Sequence, residues 1–332
     1  MASGLVLVDK PAGMTSHDVV ARVRRLAGTK KVGHAGTLDP MATGLLVLGI
    51  NSATKLLTFV VGEDKTYIAT IRLGAATITD DAEGDFIVSD SSSAALVAQR
   101  LAELVGADGR VLPQPIKSKI ELLTGKILQV PSSVSAIKVD GERAYALVRG
   151  GGAVTLKARP VTVSRFEVLG EPRVVSIVSD SAAAHFTFID LDVIVDCSSG
   201  TYIRALARDL GVSLGVGGHL TALRRTRIGG YDLTMAQALP ERDQVAPLVS
   251  GPSALPMGGL KLESLASAAQ KRFNTRQLSA AEVVDVRHGK RIASLDSAAS
   301  DLAALGPEGE LVAILTHANE SELKSLVVFA DA

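Results

Sequence analysis

The sequence predicts an α+β protein, with a mixed β-sheet in a large first domain and a smaller second domain. Its 332 residues are 47% hydrophobic, which is enough to bury a core and is typical of two domains. Apolar stretches of strand length alternate with short helical patterns along most of the chain. Pro, Gly and Ser accumulate between Leu239 and Pro256, which predicts a boundary there. We therefore expect domains at residues 1–250 and 256–332.

The N-terminal part of the chain predicts three strands and two helices. The strands are at 4–9 (GLVLVD), 43–50 (TGLLVLGI) and 65–74 (KTYIATIRLG), and the helices run from about His17 to Ala27 and onward from Ser52. Thr15 or Ser16 can cap the first helix, because a hydroxyl at this position accepts a hydrogen bond from a backbone N–H of the first turn. The third strand alternates in hydropathy, which indicates a surface with one buried face.

The remaining chain predicts turns, helices and further strands. The predicted elements are turns at 75–84, a helix at 93–105, a segment rich in Lys, Arg and Gly at 112–156, strands through 159–197, a helix over 205–211, and a helix followed by strands after 260. We expect the strands of 159–197 to extend the sheet formed by the N-terminal strands. The region after 260 is predicted to form the small second domain.

Charge by itself does not indicate a nucleic-acid partner. The formal net charge is zero, whereas a footprint on RNA usually needs an excess of Lys and Arg. Basic residues nevertheless cluster in three places: Lys10, Arg22, Arg24, Arg25, Lys30 and Lys31; then Arg224, Arg225 and Arg227; then Arg287, His288, Lys290 and Arg291. Each cluster can bind phosphate, but an ordinary solvated surface has the same composition.

A single cysteine and the absence of long apolar runs limit the class of protein. One cysteine excludes an intramolecular disulfide and a multi-cysteine metal site. Cys197 ends an apolar, strand-like run, so we predict a buried structural thiol. The N-terminus lacks the basic-then-apolar pattern of a signal peptide, and no apolar run approaches the ~20 residues that span a bilayer. We therefore expect a soluble cytoplasmic protein.

One carboxylate, Asp39, lies in a stretch that predicts a functional loop. Gly33, Gly36 and Gly44 surround it, and Pro40 follows it directly and favours an extended backbone at Asp39. The apolar run that follows predicts a buried strand, so the acid is expected at the tip of a loop on a rigid sheet. A structural turn or cap is the alternative interpretation, since Asp-Pro among glycines is common in turns.

The residues around Asp39 carry a family resemblance. The stretch from Gly33 to Leu45 (GHAGTLDPMATGL) resembles the GHxGxLDPxATGxL motif of the TruB family, the tRNA pseudouridine-55 synthases. A pattern of this length rarely arises by chance. The family's catalytic residue is the aspartate of this motif, and Asp39 stands in its place. The resemblance therefore implies a pseudouridine synthase catalytic domain and, after residue 256, a PUA-like RNA-binding domain.

Further motifs follow in the order that the family has them. They are LDKPAGMTS near the N-terminus, KTYIATIRLG with Tyr67, TITDDAEG with Thr77, Thr79, Asp81 and Gly84, SSGTYIRALARDLG with Tyr202 and Arg204, and GHLTALRRTRIG with Leu223, Arg224 and Arg225. If Tyr202 and Arg204 are both extended, their spacing puts them on one face. Asx turns explain the composition of the TITDDAEG segment equally well.

An inserted arm at about residues 112–156 is implied by another match. VPSSVSAIKVDGERAYALVRGG resembles the family's VPxxxSAIKxxGxxxYxxxRxG, a segment that grips RNA. The residues expected to face the nucleic acid are Lys138, Arg143, Tyr145 and Arg149. An ordinary hairpin and helix is the alternative. Because relatives that use guide RNAs are described as lacking this arm, its presence favours an enzyme that acts without a guide RNA.

The resemblance implies a role for each candidate residue. Asp39 is catalytic, Arg204 pairs with it, and Tyr67 stacks on the uracil and can take the C5 proton. His34 fills the gap that the extracted base leaves, Tyr202 supports the pocket wall, Leu223 lines the uracil pocket, and Arg224 and Arg225 contact phosphate. The alternatives are a half-buried strand tyrosine for Tyr67, a loop histidine bonded to backbone for His34, and a helix residue in the core for Leu223.

The implied reaction is an isomerisation of uridine inside the T arm of tRNA. It breaks the N1–C1′ bond, turns the uracil and joins C5 to C1′, so no cofactor and no metal are expected. The uridine must be flipped out of the RNA to be reached. We expect tRNA as partner, with no membrane and no obligate protein partner. Two other classes stay open: a tRNA-binding or folding module with a structural Asp39, and a glycoside hydrolase, which usually needs a second carboxylate that no motif supplies.

Overall fold

The computed structural model describes residues 3–87, 91–106, 108–132, 138–139, 142–143, 156–178, 185–240, 259–295 and 300–329. The chain forms two compact units: Met1–Glu63 together with Arg227–Ala332, and Asp64–Thr226. Most of the predicted boundary, at 239–256, lies outside the described residues. Tyr145 and Arg149 also lie outside them, and Lys138 and Arg143 are described only as backbone.

The elements are numbered in chain order. The strands are β1 Gly4–Lys10, β2 Val32–His34, β3 Thr43–Ile50, β4 Lys65–Leu73, β5 Gly125–Gln129, β6 Lys138–Val139, β7 Glu142–Arg143, β8 Arg159–Val168, β9 Arg173–Val178, β10 His185–Cys197, β11 Gly218–Ile228, β12 Tyr231–Asp232, β13 Gln237–Ala238, β14 Asn274–Gln277, β15 Ile292–Ala293, β16 Leu302–Leu305, β17 Leu311–His317 and β18 Glu322–Val328. The helices are α1 Ser16–Leu26, α2 Leu57–Val61, α3 Ser91–Glu103, α4 Pro113–Leu122, α5 Ile203–Leu214, α6 Leu265–Gln270 and α7 Ala280–Arg287.

The first unit is built on the antiparallel pair β1 and β3. Gly4 lies opposite Ile50 and Lys10 opposite Gly44, β2 pairs with β3, and β13 runs parallel to β1. Alternate side chains of β1 pack into different clusters: Val6 and Val8 join the buried face of α1, whereas Leu5 and Leu7 join residues from the C-terminal part of the chain. Because both faces are covered, β3 is apolar along its whole length.

Helix α1 begins as the sequence predicts. Thr15 is its N-cap and forms a capping box with Asp18, in which each side chain accepts a bond from the other residue's backbone N–H. The predicted helix from Ser52 is divided, because residues Asn51–Lys55 form a 3₁₀ helix before α2 begins. The strands predicted at 4–9, 43–50 and 65–74 are confirmed within one residue.

The C-terminal part of the first unit is a five-stranded sheet with the order β14-β16-β17-β18-β15. Helix α7, capped by Ser279 and Glu282, packs its buried valines against one face of this sheet. Phe273 and Phe329 share a single core cluster with Leu5. The C-terminal strands and the N-terminal strand therefore stabilise each other.

The second unit contains the sheet order β11-β4-β10-β8-β5, with β9 paired to β10. Strands β4 and β10 are antiparallel, and three cross-strand pairs on one face are polar: Thr66 with Asp196, Thr70 with Asp192 at 2.7 Å, and Arg72 with Asp190 at 2.8 Å. The interpretation of Leu223 as a helix residue is wrong, since it lies on β11. Its apolar neighbours recur at a spacing that fits a helix as well as a strand, and only the pairing decides between them.

Two residues of the predicted basic clusters lie inside the protein. Lys10 is 0% exposed and Arg225 is 1% exposed, so neither belongs to a solvated basic face. Of the first cluster, Arg24, Arg25, Lys30 and Lys31 are exposed. In the C-terminal cluster Lys290 pairs with Asp285 and Arg291 with Glu322, at 2.8 and 2.9 Å, which reduces its positive charge.

Candidate active site

Asp39 lies in the loop of residues 35–42, between β2 and β3, which we call the Asp39 loop. Gly36 and Gly44, at φ of 91° and 101°, adopt backbone conformations that residues with a side chain rarely reach. The Asp39 carbonyl accepts a hydrogen bond from the Ala42 N–H at 3.1 Å, which closes a turn around Pro40. Asp39 is half-buried.

Contacts from the N-terminal segment hold this loop on both sides of Asp39. On one side, the Ser16 hydroxyl accepts a bond from the Leu38 N–H at 2.9 Å and donates to the Leu38 carbonyl at 3.2 Å. On the other side, the Pro40 carbonyl accepts bonds from the Gly13 N–H at 2.9 Å and from the Lys10 ammonium at 3.2 Å. The backbone around Asp39 is therefore fixed by its immediate neighbours.

The buried ammonium of Lys10 donates to three backbone carbonyls. Besides Pro40, it contacts Pro11 at 2.9 Å and Met14 at 2.6 Å. An ammonium has three donors, and burial without partners would be strongly unfavourable. Lys10 thus ties the turn after β1 to the Asp39 loop, a role that its place in a basic cluster did not indicate.

We expect Lys10→Met to lower the free energy of unfolding by about 2–4 kcal/mol, because three backbone carbonyls lose the charged donor that the buried Lys10 supplies. Urea unfolding followed by circular dichroism measures this change. Lys30→Met is the control, since Lys30 is exposed and its replacement should change stability by less than about 0.5 kcal/mol. Equal stability of the two variants would show that the Lys10 contacts are dispensable.

His34 ends β2 and is half-buried. Its ring lies 5.7 Å from the ring of His17 in an edge-to-face arrangement, with an interplanar angle of 80°. It is therefore the last residue of a strand and precedes the Asp39 loop directly. Its role in filling the space of an extracted base stays a prediction.

Tyr67 lies on β4 opposite Val195 and is 7% exposed. The alternation of β4 points its side chain to the same face as Ala69 and Ile71, which are also buried. The alternative interpretation of Tyr67 as a half-buried strand residue is therefore right about the strand but underestimates how deeply the side chain is buried. Whether this ring stacks on a base stays a prediction.

Arg204 lies in the first turn of α5 and is 4% exposed. Its Nη1 donates to the Thr79 carbonyl at 2.7 Å and lies 3.5 Å from Oδ2 of Asp81. The carboxylate of Asp81, 3% exposed, also accepts bonds from the Thr79 hydroxyl at 2.5 Å and from the Glu83 N–H at 3.0 Å. A buried, hydrogen-bonded ion pair of this kind fixes the direction of the guanidinium.

Asp81 was not among the candidate site residues, although its segment matched a family motif. Asx turns explained the composition of the TITDDAEG segment equally well, and Arg204, the partner of Asp81, is distant in the sequence. The condition under which Tyr202 and Arg204 would share a face is not met, because α5 begins at Ile203 with Tyr202 as an extended N-cap. The two residues therefore do not share a face by the alternation of a strand.

The side chain of Gln129 holds the start of α5. Its Oε1 accepts from the Tyr202 N–H at 2.8 Å and its Nε2 donates to the Tyr202 carbonyl at 3.1 Å. Gln129 is 1% exposed and ends β5. Gln129 fixes the backbone of the pocket-wall candidate Tyr202, and no sequence pattern indicated this role.

On β11, Leu223 and Arg225 are buried, at 7% and 1% exposure, whereas Arg224 between them is half-buried. The alternation of the strand explains this pattern. Of the two arginines expected to contact phosphate, Arg224 is the more accessible. The roles of all three residues stay predictions.

The candidate residues divide between the two units. Asp39 and His34 belong to the first, whereas Tyr67, Tyr202, Arg204, Leu223, Arg224 and Arg225 belong to the second. The ion pair between Asp39 and Arg204 therefore stays a prediction.

Three further observations concern cofactors and compartment. Among the residues that the structure describes, no group of three or more His, Cys, Asp or Glu side chains could hold a metal ion. None of the helices in the described ranges is long and apolar enough to cross a membrane. Cys197 is 1% exposed, and burial raises the pKa of its thiol to about 11, which confirms the prediction of a buried structural thiol.

Comparison with known families gives matches along the chain. The family model of the TruB family pseudouridylate synthase N-terminal domain matches residues 24–203. The model of the tRNA pseudouridylate synthase B C-terminal domain matches residues 204–242, and that of the tRNA pseudouridine synthase II C-terminal region matches residues 273–330.

Similar proteins cover the chain from end to end. The tRNA pseudouridine synthase B of Arthrobacter sp. (strain FB24) is 51% identical over 99% of this chain and 97% of that protein. The proteins of the same name from Leifsonia xyli subsp. xyli (strain CTCB07) and Thermobifida fusca (strain YX) are 51% and 48% identical, each over 99% of this chain and over 97% and 99% of their own lengths.

Solved structures share the fold at low sequence identity. The archaeal box H/ACA sRNP Nop10-Cbf5 complex contains a chain with a TM-score of 0.61 and 20% identity, covering 98% of this chain and 86% of that one. A chain of an H/ACA RNP bound to a substrate RNA containing 2′-deoxyuridine gives a TM-score of 0.59 at 20% identity, covering 99% and 85%. Together with the family matches, they establish a mixed α+β catalytic fold followed by a PUA-like C-terminal region. The chain belongs to the TruB family of pseudouridylate synthases.

Proposed function

We propose that this protein converts uridine 55 in the T arm of tRNA to pseudouridine, with Asp39 as the catalytic carboxylate. Membership of a family of pseudouridylate synthases gives the reaction, and the names of the similar proteins support tRNA as the substrate. The observation that carries the role of Asp39 is its loop. Ser16 and Lys10 hold the backbone on both sides of this acid, while Asp39 itself is only half-buried.

The reaction needs one carboxylate beside the ribose and the base. The N1–C1′ bond breaks, the uracil turns, the C5–C1′ bond forms, C5 loses its proton to solvent, and N1 takes up a proton. Atoms and electrons balance without a redox partner or a group donor, so we expect no cofactor. Asp39 can act as the nucleophile or as the base in this series of reaction steps.

The proposed partners of Asp39 are Arg204, Tyr67, Tyr202 and Leu223. Arg204, whose direction Asp81 and Thr79 fix, would pair with the catalytic carboxylate and orient it. Tyr67 would stack on the uracil while it is detached, and can accept the C5 proton only where its pKa is lowered from about 10. Tyr202 and Leu223 would form the pocket wall.

Extraction of the target nucleotide is the remaining requirement. Flipping a base out of a folded RNA costs a few kcal/mol, and we assign His34, directly before the Asp39 loop, to the space it leaves. Arg224 and Arg225 are assigned to phosphate contacts, which position RNA without reading sequence. The arm at 112–156 and the region 256–332 are assigned to RNA binding in a cytoplasmic enzyme that needs no guide RNA or protein partner.

Tritium release from tRNA that carries 5-³H-uridine tests the proposal. We expect the wild-type protein to release tritium from a tRNA transcript and to release none from the T-arm site when uridine 55 is replaced by cytidine, since cytidine at that position cannot be isomerised to pseudouridine. Tritium release that is unaffected by this replacement would show that the protein modifies a uridine other than uridine 55. Binding of tRNA without any release would instead favour a tRNA-binding module.

A further inference from the structure

Two arginines on α5 meet two successive aspartates of one loop. Arg204 and Arg208 are one turn apart and therefore project from the same side of the helix. Arg204 Nη1 lies 3.5 Å from Asp81 Oδ2, and Arg208 Nη1 donates to Asp80 Oδ2 at 3.2 Å. None of the roles proposed above uses Arg208 or Asp80.

The loop that carries the aspartates is fixed at Asp80. This residue has a φ of 60°, a left-handed conformation that aspartate tolerates better than most residues. Its carbonyl accepts from the Leu220 N–H at 3.1 Å and its N–H donates to the Thr77 carbonyl at 3.3 Å. The side chain is consequently held against α5, where the residue is 7% exposed.

Two carboxylates side by side in a buried site compete for the same cation. Burial raises the pKa of Asp80, and a hydrogen bond with Ser132 and the charges of Arg208 and Arg204 act against this rise. If Arg208 lost its charge, Arg204 would still attract the Asp80 carboxylate electrostatically. Arg204 would then be drawn away from Asp81.

Arg208 also links the helix to the end of β5. Its Nη2 donates to the Val130 carbonyl at 2.7 Å, and the preceding residue, Gln129, holds the Tyr202 backbone. Arg208 also pairs with its chain neighbour Asp209, whose Oδ1 lies 2.9 Å from Nε and 2.8 Å from Nη2. It therefore contacts Asp209, the aspartate loop and the segment after β5 at once. These contacts fix one side of α5 relative to the loop that carries Asp80 and to the segment that follows β5.

We propose that Arg208 and Asp80 are positioning residues: Arg208 occupies Asp80 so that Arg204 stays paired with Asp81 and keeps its direction. The inference rests on the proposed function, because the effect on catalysis passes through Arg204. Its chemical content is that Arg208, which also pairs with Asp209, keeps Nη1 on Asp80 and thereby leaves Arg204 to Asp81. Removing the charge of Arg208 should therefore misdirect Arg204, and removing the charge of Asp80 as well should restore it.

The test compares Arg208→Met, Asp80→Asn and the double variant with the wild-type protein. Single-turnover tritium release at saturating enzyme gives the rate of chemistry, and filter binding gives the Kd for tRNA. We expect Arg208→Met to lower the rate about 10-fold with a Kd within about threefold. The double variant should regain at least about a threefold higher rate than Arg208→Met, which a purely structural role would not produce.

The side-chain Nε–H signal of Arg204 in ¹⁵N-labelled protein gives a readout that does not depend on activity. It is assigned by its loss in Arg204→Lys, and we expect it to shift in Arg208→Met and to return toward the wild-type position in the double variant. Arg165→Met is the matched control, because Arg165 pairs with Glu167 at 2.7 Å on the exposed face of the same unit; rate and signal should not change.

Circular dichroism checks that each variant is folded. If Arg208→Met does not fold, Arg208→Gln, which keeps a donor for the Val130 carbonyl, carries the same expectation. An Arg204 signal that does not shift in Arg208→Met would overturn the inference. So would a double variant, Asp80→Asn with Arg208→Met, that releases tritium as slowly as Arg208→Met alone. Absence of tritium release from the wild-type protein would reject the proposed function, and the Arg204 signal would still decide this inference.

Discussion

Asp39→Asn is expected to reduce tritium release from tRNA by about 10⁴-fold or more, which is the effect of removing an essential nucleophile or base. Asparagine has nearly the shape of aspartate, so the Asp39 loop can keep its contacts to Ser16 and Lys10. The amide, however, can neither attack carbon nor accept a proton at neutral pH. Binding of tRNA should therefore stay within a few-fold of the wild-type value.

Single-turnover release and filter binding measure these two quantities separately. The control is Glu167→Gln, because Glu167 forms an exposed pair with Arg165 outside the segments assigned to RNA binding, and exposed pairs contribute little to stability. A variant at position 39 that keeps more than about 1% of the wild-type rate would show that this carboxylate does not carry the chemistry.

Asp81→Asn is expected to lower the rate of chemistry by about 100-fold and to destabilise the protein. Arg204 and Asp81 are both buried and form an ion pair, and removing one partner of such a pair costs about 3–5 kcal/mol because a buried charge is left behind. The freed guanidinium also loses its fixed direction. A displacement of about 1 Å in a catalytic group can reduce the rate about 100-fold.

Thermal unfolding and single-turnover release separate these two effects. Asp192→Asn is the matched control, since Asp192 pairs with Arg173 at 2.5 Å and accepts from Thr70 at 2.7 Å on the same sheet. It should lower the Tm with little change in rate. An Asp81→Asn variant that loses stability but keeps its rate would assign the Arg204 pair to folding alone.

The features predicted correctly from the sequence depend on residues close together in the chain. Thr15 caps α1 because Asp18 is three residues away, and β3 is a run of apolar residues whose covering on both faces its composition already indicated. The glycines around Asp39 predict a tight loop by their own conformational freedom. The long match around this loop identified the family, as the comparisons confirm.

The errors concern residues whose partners come from distant parts of the chain. Lys10 has the charge of a surface residue, but Pro40, thirty residues later, supplies one of the backbone carbonyls that accept from its buried ammonium. Leu223 lies in a segment whose spacing suits helix or strand, and strand pairing decided it. Asp81 lies in a segment whose composition is typical of turns. Its ion-pair partner, Arg204, is far away in the chain and also donates to the Thr79 carbonyl, 125 positions from it.

The sequence by itself therefore determined the family, the loop that carries Asp39 and the local elements around it, because propensity, capping and turn chemistry act over a few residues. Only the tertiary structure decided which charges are buried and what they contact. A buried Lys10, Arg225 or Arg204 is favourable only where the folded chain supplies acceptors or counter-charges that offset the loss of water. Those acceptors are distant in the chain, and no local pattern indicates them.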